Sequence, residues 1–298
     1  MGPLVGRAGA IAAGVGFGTL GIFSRLIYDE GGAKFTLLVL RFCGASLVLV
    51  AFALLRRGPL PSGRDAALSV LLGLPVLAAT FCLFAGFEQA SPGLVTLLFY
   101  IYPLIVTVAA RALFSEELTR WRTTLLGIGM AGIALTVGIP HSATAAGIAW
   151  GLAAGVCTAV FILGSRHVMS RSVDSVQFVA LAYGGATITL VPLAAVVGVS
   201  WPPAGAVGYG LCLIVLSTVV PVLLFYFAVR RIGAGAAARL ATIEPLTAVV
   251  LSSIVLGDSL TASQIAGGAV VLTSVILLAT PAAAVRRWYR RGPEPAAR

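Results

Sequence analysis

The stretch "TIEPLTAVVLSSIVLGDSLT" (residues 242–261) places a carboxylate, Glu244, directly before Pro245 inside an almost wholly apolar run. Arg41, Glu88 and Arg239 are the other ionisable side chains set well inside such runs. An ionisable group in hydrocarbon costs at least ~2.5 kcal/mol on insertion scales, so each needs a partner or a wet cavity. Glu244 lies about ten residues into its run, ~15 Å deep at 1.5 Å per residue, near the middle of a ~30 Å hydrocarbon layer. Pro245 lacks a backbone donor and disturbs the preceding turn, where Thr242 adds a hydroxyl. Freed carbonyls are tolerated only where protein or water satisfies them, so the pair marks the wall of a polar cavity. There the carboxylate could bind a cationic substrate or carry a coupling proton.

Pro103 sets the same disturbance beside Tyr100 and Tyr102, whose hydroxyls add polar groups. Arg41 lies about six residues into its run, or ~9 Å deep, within reach of Glu244 or Glu88. It has two readings: substrate contact or charge compensation in a central cavity, or an ion pair that fixes helix register. Glu88 and Arg239 sit nearer the ends of their runs, where snorkelling or gate pairing is expected. Phe84 and Tyr226 could line a pocket for a ring or a cation, with lipid contact or packing as the plain alternative.

These residues need helices to hold them. The 298-residue chain is 59% hydrophobic and only 10% charged, with a mean hydropathy of +1.04. Soluble domains carry about 25% charged residues, so this chain reads as an integral membrane protein of helical spans. Ten candidate spans follow, near 8–28, 35–55, 66–87, 93–114, 123–139, 145–165, 175–198, 206–229, 234–256 and 262–280. The first apolar run reads as a span rather than a cleavable leader. With both termini in the cytoplasm, the inner joints carry Arg7, Arg56, Arg57, Arg64, Arg111, Arg120, Arg122, Arg166, Arg171, Arg230 and Arg231, and the tail adds more. Of the outer joints only "YDEGGAK" holds a basic residue, Lys34, as the positive-inside rule expects. The net charge of +10 therefore reflects membrane orientation, not nucleic acid. Cys43, Cys82, Cys157 and Cys212 fall inside apolar runs without CxxC spacing and read as packing residues. His141 and His167 form no cluster, so no metal or other cofactor is expected.

The chain repeats itself. Set against "YIYPLIVTVAARALFSEELT" (100–119), the opening stretch matches at an offset of 142: Ile101 with Ile243, Pro103 with Pro245, Glu116 with Asp258, Thr119 with Thr261. Phe84 and Tyr226 share that offset. Each half then holds five spans, an odd number, so the second half enters the membrane inverted. The expected units are 1–140, 141–285 and a basic tail, 286–298. Inverted repeats are the architecture of alternating-access transporters. Gly14 and Gly18 on the first span, and Gly147, Gly151 and Gly155 on the sixth, form small faces that allow close helix approach.

The elements "P…SEELT" and "EP…LGDSLT", Arg41 in "LLVLRFCGASLVLV", and the small-residue span after each acidic signature resemble the paired repeats of EamA-type proteins. The resemblance to this branch of the drug/metabolite transporter superfamily covers all ten spans. It departs from the family pattern at Glu116-Glu117, where Gly-Glu is commoner, and at Asp258, where Glu is commoner. It implies an all-α protein in which Glu116 and Asp258 are structural, ending a helix and anchoring the next turn. It further implies a secondary transporter of a small metabolite, amino acid or drug-like compound, with export as the direction. Protons and the lipid bilayer are the other expected partners, and the chain could act as monomer or dimer. No GxxxxGK[ST] motif supports ATP hydrolysis. A membrane-embedded lipid-modifying enzyme is the alternative, but its clustered acids or histidines are missing.

Overall fold

Leu47, Ile188, Val196 and Ile254 point away from the protein, between 70% and 86% exposed. Helices that are apolar on their outer faces as well as their inner ones are built for lipid rather than water. The computed structural model describes residues 2–56, 61–90, 92–137, 144–169, 173–199, 204–256 and 261–279, and among them no strand occurs. In chain order the long helices are α1 (Pro3–Asp29), α2 (Phe35–Leu55), α3 (Gly63–Gly86), α4 (Val95–Phe114), α5 (Arg120–Val137), α6 (Ala145–Met169), α7 (Ser175–Val197), α8 (Ala204–Ile232), α9 (Ala234–Val255) and α10 (Ala262–Ala279). Among the described residues nine of these are long and apolar enough to cross a membrane. The other, α5, has 18 residues and opens on Arg-Trp-Arg, which lowers its hydropathy. The chain is a multi-pass membrane protein.

Local chemistry sets the helix ends. Ser62 caps the start of α3 by accepting from the Asp65 N–H (3.2 Å), and Asp174 caps α7 by accepting from Val176 (3.0 Å). Asp174 also pairs with Arg56 (3.5 Å) and Arg230 (3.3 Å), tying the ends of α2 and α8 to α7. These contacts help define an arginine-rich face that also holds Arg7, Arg122, Arg166 and Arg231. At the opposite face lies the exposed pair Arg25–Asp29 (3.7 Å).

Packing follows the small residues. The first half of α1 lies against α8 and α9, while α6 lies against α3 and α4; α5 pairs with α10, and α2 with α7. A Cβ added at Gly18 would come within 2.8 Å of the Glu244 carbonyl. One added at Gly155 would come within 2.8 Å of the Phe99 carbonyl. Both glycines thus admit α1 and α6 to the irregular middles of α9 and α4. All four cysteines are free thiols.

Those middles are broken at equivalent places. The chain leaves regular helix at Tyr100–Ile101 in α4 and at Thr242–Ile243 in α9, each two residues ahead of a proline. Short π-helical turns interrupt α2 at Leu40–Gly44 and α8 at Val215–Val219. Such turns are rare and concentrate at functional sites. α1 is interrupted at Thr19, whose hydroxyl donates to the Gly16 carbonyl (2.7 Å) and shares a hydrogen bond with Ser217 (2.6 Å). Leu72 likewise interrupts α3, so among the described residues six helices lose their regular backbone part-way along.

Candidate functional site

A central cavity of about 130 Å³ lies among these helices. The π turn of α2 supplies Arg41, the break in α9 supplies Glu244, and α4, α7 and α8 supply Tyr102, Tyr183 and Tyr226. Phe161 of α6 stands at 5.4 Å from the Tyr226 ring in an edge-on arrangement. Phe99, Tyr100 and Tyr102 form a second aromatic group, with ring centres 5.1 to 6.1 Å apart. A larger cavity of about 590 Å³ shares Phe17, Leu20, Leu83, Phe99 and Glu244 with the first. It runs past Phe84, Tyr100 and Pro245 to Tyr28 and Arg25, at the face opposite the arginines.

Glu244 stands where the two cavities meet. The Tyr100 hydroxyl is hydrogen-bonded with its carboxyl, and Arg41 is close enough to act on it by charge. Arg41 also meets the Tyr183 hydroxyl, while its Nε is buried with no hydrogen-bond partner among the described residues. A buried guanidinium nitrogen left unsatisfied is costly, and it is a natural docking point for an acceptor on a ligand. The cavity thus offers one anionic and one cationic group within an aromatic wall.

Between this cavity and the arginine-rich face lies a closed layer. It falls one to two turns beyond the cavity residues along α4, α6 and α9. The Arg239 guanidinium donates to the Thr107 hydroxyl (3.3 Å). Glu116, just after α4, accepts from the Ala234 and Gly235 N–H groups (2.8 and 3.0 Å) and stands 3.8 Å from Arg166. Its carboxylate therefore caps the start of α9 and answers the positive end of that helix.

Several expectations change in this setting. Of the two readings of Arg239, snorkelling or gate pairing, its surroundings suit pairing: it is 5% exposed, with Thr107 and the nearby Glu116 beside it. Glu116 follows a helix end, marked by left-handed Ser115, but it anchors α9 rather than its own next turn. Thr242 turns its hydroxyl to the Arg239 carbonyl (2.7 Å), so it satisfies the broken backbone. Phe84 and Pro245 line the larger cavity, and Pro103 follows the break in α4. Asp258 and the Glu88 side chain lie outside the described residues. Tyr183, Phe161 and Phe17 were not singled out in the sequence. A tyrosine in the middle of apolar α7, ahead of Gly184-Gly185, was the one available signal.

A model of the EamA-like transporter family matches residues 4–138 and, a second time, 145–280. The chain belongs to the EamA-like transporter family. That places it in the drug/metabolite transporter superfamily. The EamA-like chain is 28% identical to an uncharacterized transporter of Archaeoglobus fulgidus, over 91% of its own length and 95% of the relative's. It is 27% identical to the uncharacterized inner membrane transporter YicL of Salmonella typhimurium, over 92% and 94% of the two chains. A solved crystal structure superimposes with a TM-score of 0.77 at 18% identity, covering 92% of this chain and 97% of that one, so the two share a fold.

Proposed function

We propose that the protein is a secondary transporter working by alternating access, with Glu244 and Arg41 as the poles of its substrate site. The single observation carrying this reading is the position of Glu244 at the junction of the two cavities, beside Tyr100 and Arg41. An anionic and a cationic group facing one small aromatic cavity suit a substrate that carries both an ammonium and a carboxylate, such as an amino acid. The carboxylate of Glu244 would receive the amine or exchange a proton for it, and the free Arg41 Nε would receive the acid group.

The architecture fits ten spans in two inverted halves, 1–140 and 141–285, followed by the tail. Helix pairs exchange under the repeat offset: α1 on α8 corresponds to α6 on α3, and α1 on α9 to α6 on α4. With the arginine-rich face toward the cytoplasm, as the positive-inside rule favours, both termini are cytoplasmic and the larger cavity opens outward. The Glu116–Arg166–Arg239 layer then shuts the inner side. Inward opening requires Glu116 to release the start of α9. Export is the direction the family resemblance favours.

Purified protein in liposomes tests the reading. Saturable flux of a labelled amino acid is expected, with a dependence on an imposed pH gradient, and Glu244→Gln should reduce it at least tenfold. Unchanged saturable flux in Glu244→Gln removes that residue from the mechanism.

A further inference from the structure

Four arginines from four helices converge on one cavity of about 270 Å³ at the arginine-rich face: Arg7 of α1, Arg122 of α5, Arg231 of α8 and Arg239 of α9. No acidic side chain is among the lining residues described, and the rest of the wall is largely apolar, including Leu240 and Leu278. Among the described residues, the carboxylates near Arg122 and Arg239 are poorly placed to neutralise them. Glu117 lies 3.9 Å from Arg122 but is 87% exposed. Glu116, behind Arg239, is engaged with the α9 N–H groups and Arg166. Arg7 makes no hydrogen bond or ion pair among the described residues, and Arg231 lies over the Phe227 ring at 4.7 Å. Arg122 and Arg239 are close enough to repel each other.

Arginines that only orient a chain in a membrane have no need to meet; separated in water, they would do the same work. Gathered on one cavity, with Arg239 almost fully buried, Arg7, Arg122 and Arg239 repel one another unless an anion sits among them. Guanidinium forks match phosphate oxygens two at a time. Basic pockets between membrane helices are suited to phospholipid headgroups, and the apolar wall beside the four charges fits the glycerol end of a lipid. We propose that this cavity is a binding site for a phosphate-bearing anion that clamps α1, α5, α8 and α9 together. The phosphate could belong to an anionic phospholipid headgroup or to a free phosphate.

Delipidated protein can be titrated with phosphatidylglycerol, phosphatidylcholine and inorganic phosphate, with retention read by native mass spectrometry and stability by thermal shift. The wild type should retain phosphatidylglycerol in preference to phosphatidylcholine. The doubly substituted Arg7→Gln, Arg122→Gln protein should bind it more weakly, by roughly fivefold for each arginine removed. The matching Arg-to-Lys pair keeps the charge but not the fork and should bind between the wild type and the Arg-to-Gln pair, which separates loss of the site from loss of the fold. Displacement by inorganic phosphate would assign the site to a free phosphate; resistance to it would assign the site to the headgroup. Equal retention by the wild type and the Arg-to-Gln pair would overturn the proposal. So would an equal loss on Arg25→Gln at the opposite face, since bulk charge would then explain the binding.

Discussion

Arg41 and Glu244 illustrate how opposite charges become useful when neither can reach water freely. Each alone would be an expensive guest in hydrocarbon, and their common cavity lets each temper the other while leaving donors and an acceptor for a ligand. Tyr100 and Tyr183 hold this arrangement by hydrogen-bonding one pole each. Tyr183→Phe should free the Arg41 guanidinium to lean toward Glu244, weakening substrate binding by about 1 kcal/mol, or roughly fivefold in Kd. Isothermal titration with an amino acid that saturates flux in the liposome assay would detect the change. No change in affinity would make Tyr183 a packing residue, consistent with its contact to Phe42 at 5.4 Å.

At the scale of elements, the recurring device is a helix that stops being regular part-way along its length. Proline supplies the break in α4 and α9, π turns loosen α2 and α8, and Thr19 interrupts α1. Broken helices need neighbours that come close, and Gly18 and Gly155 provide them. Gly18→Val would drive side-chain carbons into the Glu244 carbonyl and Thr247. Overpacking of this kind should destabilise the fold by about 1–3 kcal/mol, visible as a lower Tm in detergent. A Tm within error of wild type would mean that α1 can move away from α9 freely. The breaks at residues 100–101 and 242–243 were legible from Pro103 and Pro245, because missing backbone donors act locally. The π turn around Arg41 was not, since no proline or glycine pair announces it.

Over the whole molecule, one side of the central cavity is open and the other is closed by charge. Glu116 reaches across 118 residues of sequence to cap α9, so it couples the first half of the chain to the second. Removing it should loosen the closed side. In a background lacking the four native cysteines, Thr107→Cys replaces a side chain only 2% exposed in that layer. Its reaction with a water-soluble maleimide should be slow, and at least fivefold faster once Glu116→Ala is added; a cap of this type is worth about 1 kcal/mol. Equal rates in the two proteins would show that the layer is held closed by helix packing alone.

The amino-acid sequence by itself determined the membrane class, the proline-marked breaks in α4 and α9, and the isolation of Glu244 in an apolar run. Hydropathy, backbone donors and charge spacing are properties of neighbouring residues, so they can be read along the chain. Tertiary structure alone decided which distant groups meet: Arg41 with Tyr183 and Glu244 around one cavity, Arg239 with Thr107, and Glu116 with the start of α9. It also brought arginines from four separate helices to one cavity. A charged side chain in a membrane takes whichever partner its neighbouring helices bring within a few ångströms, and helix packing, not sequence position, chooses those neighbours.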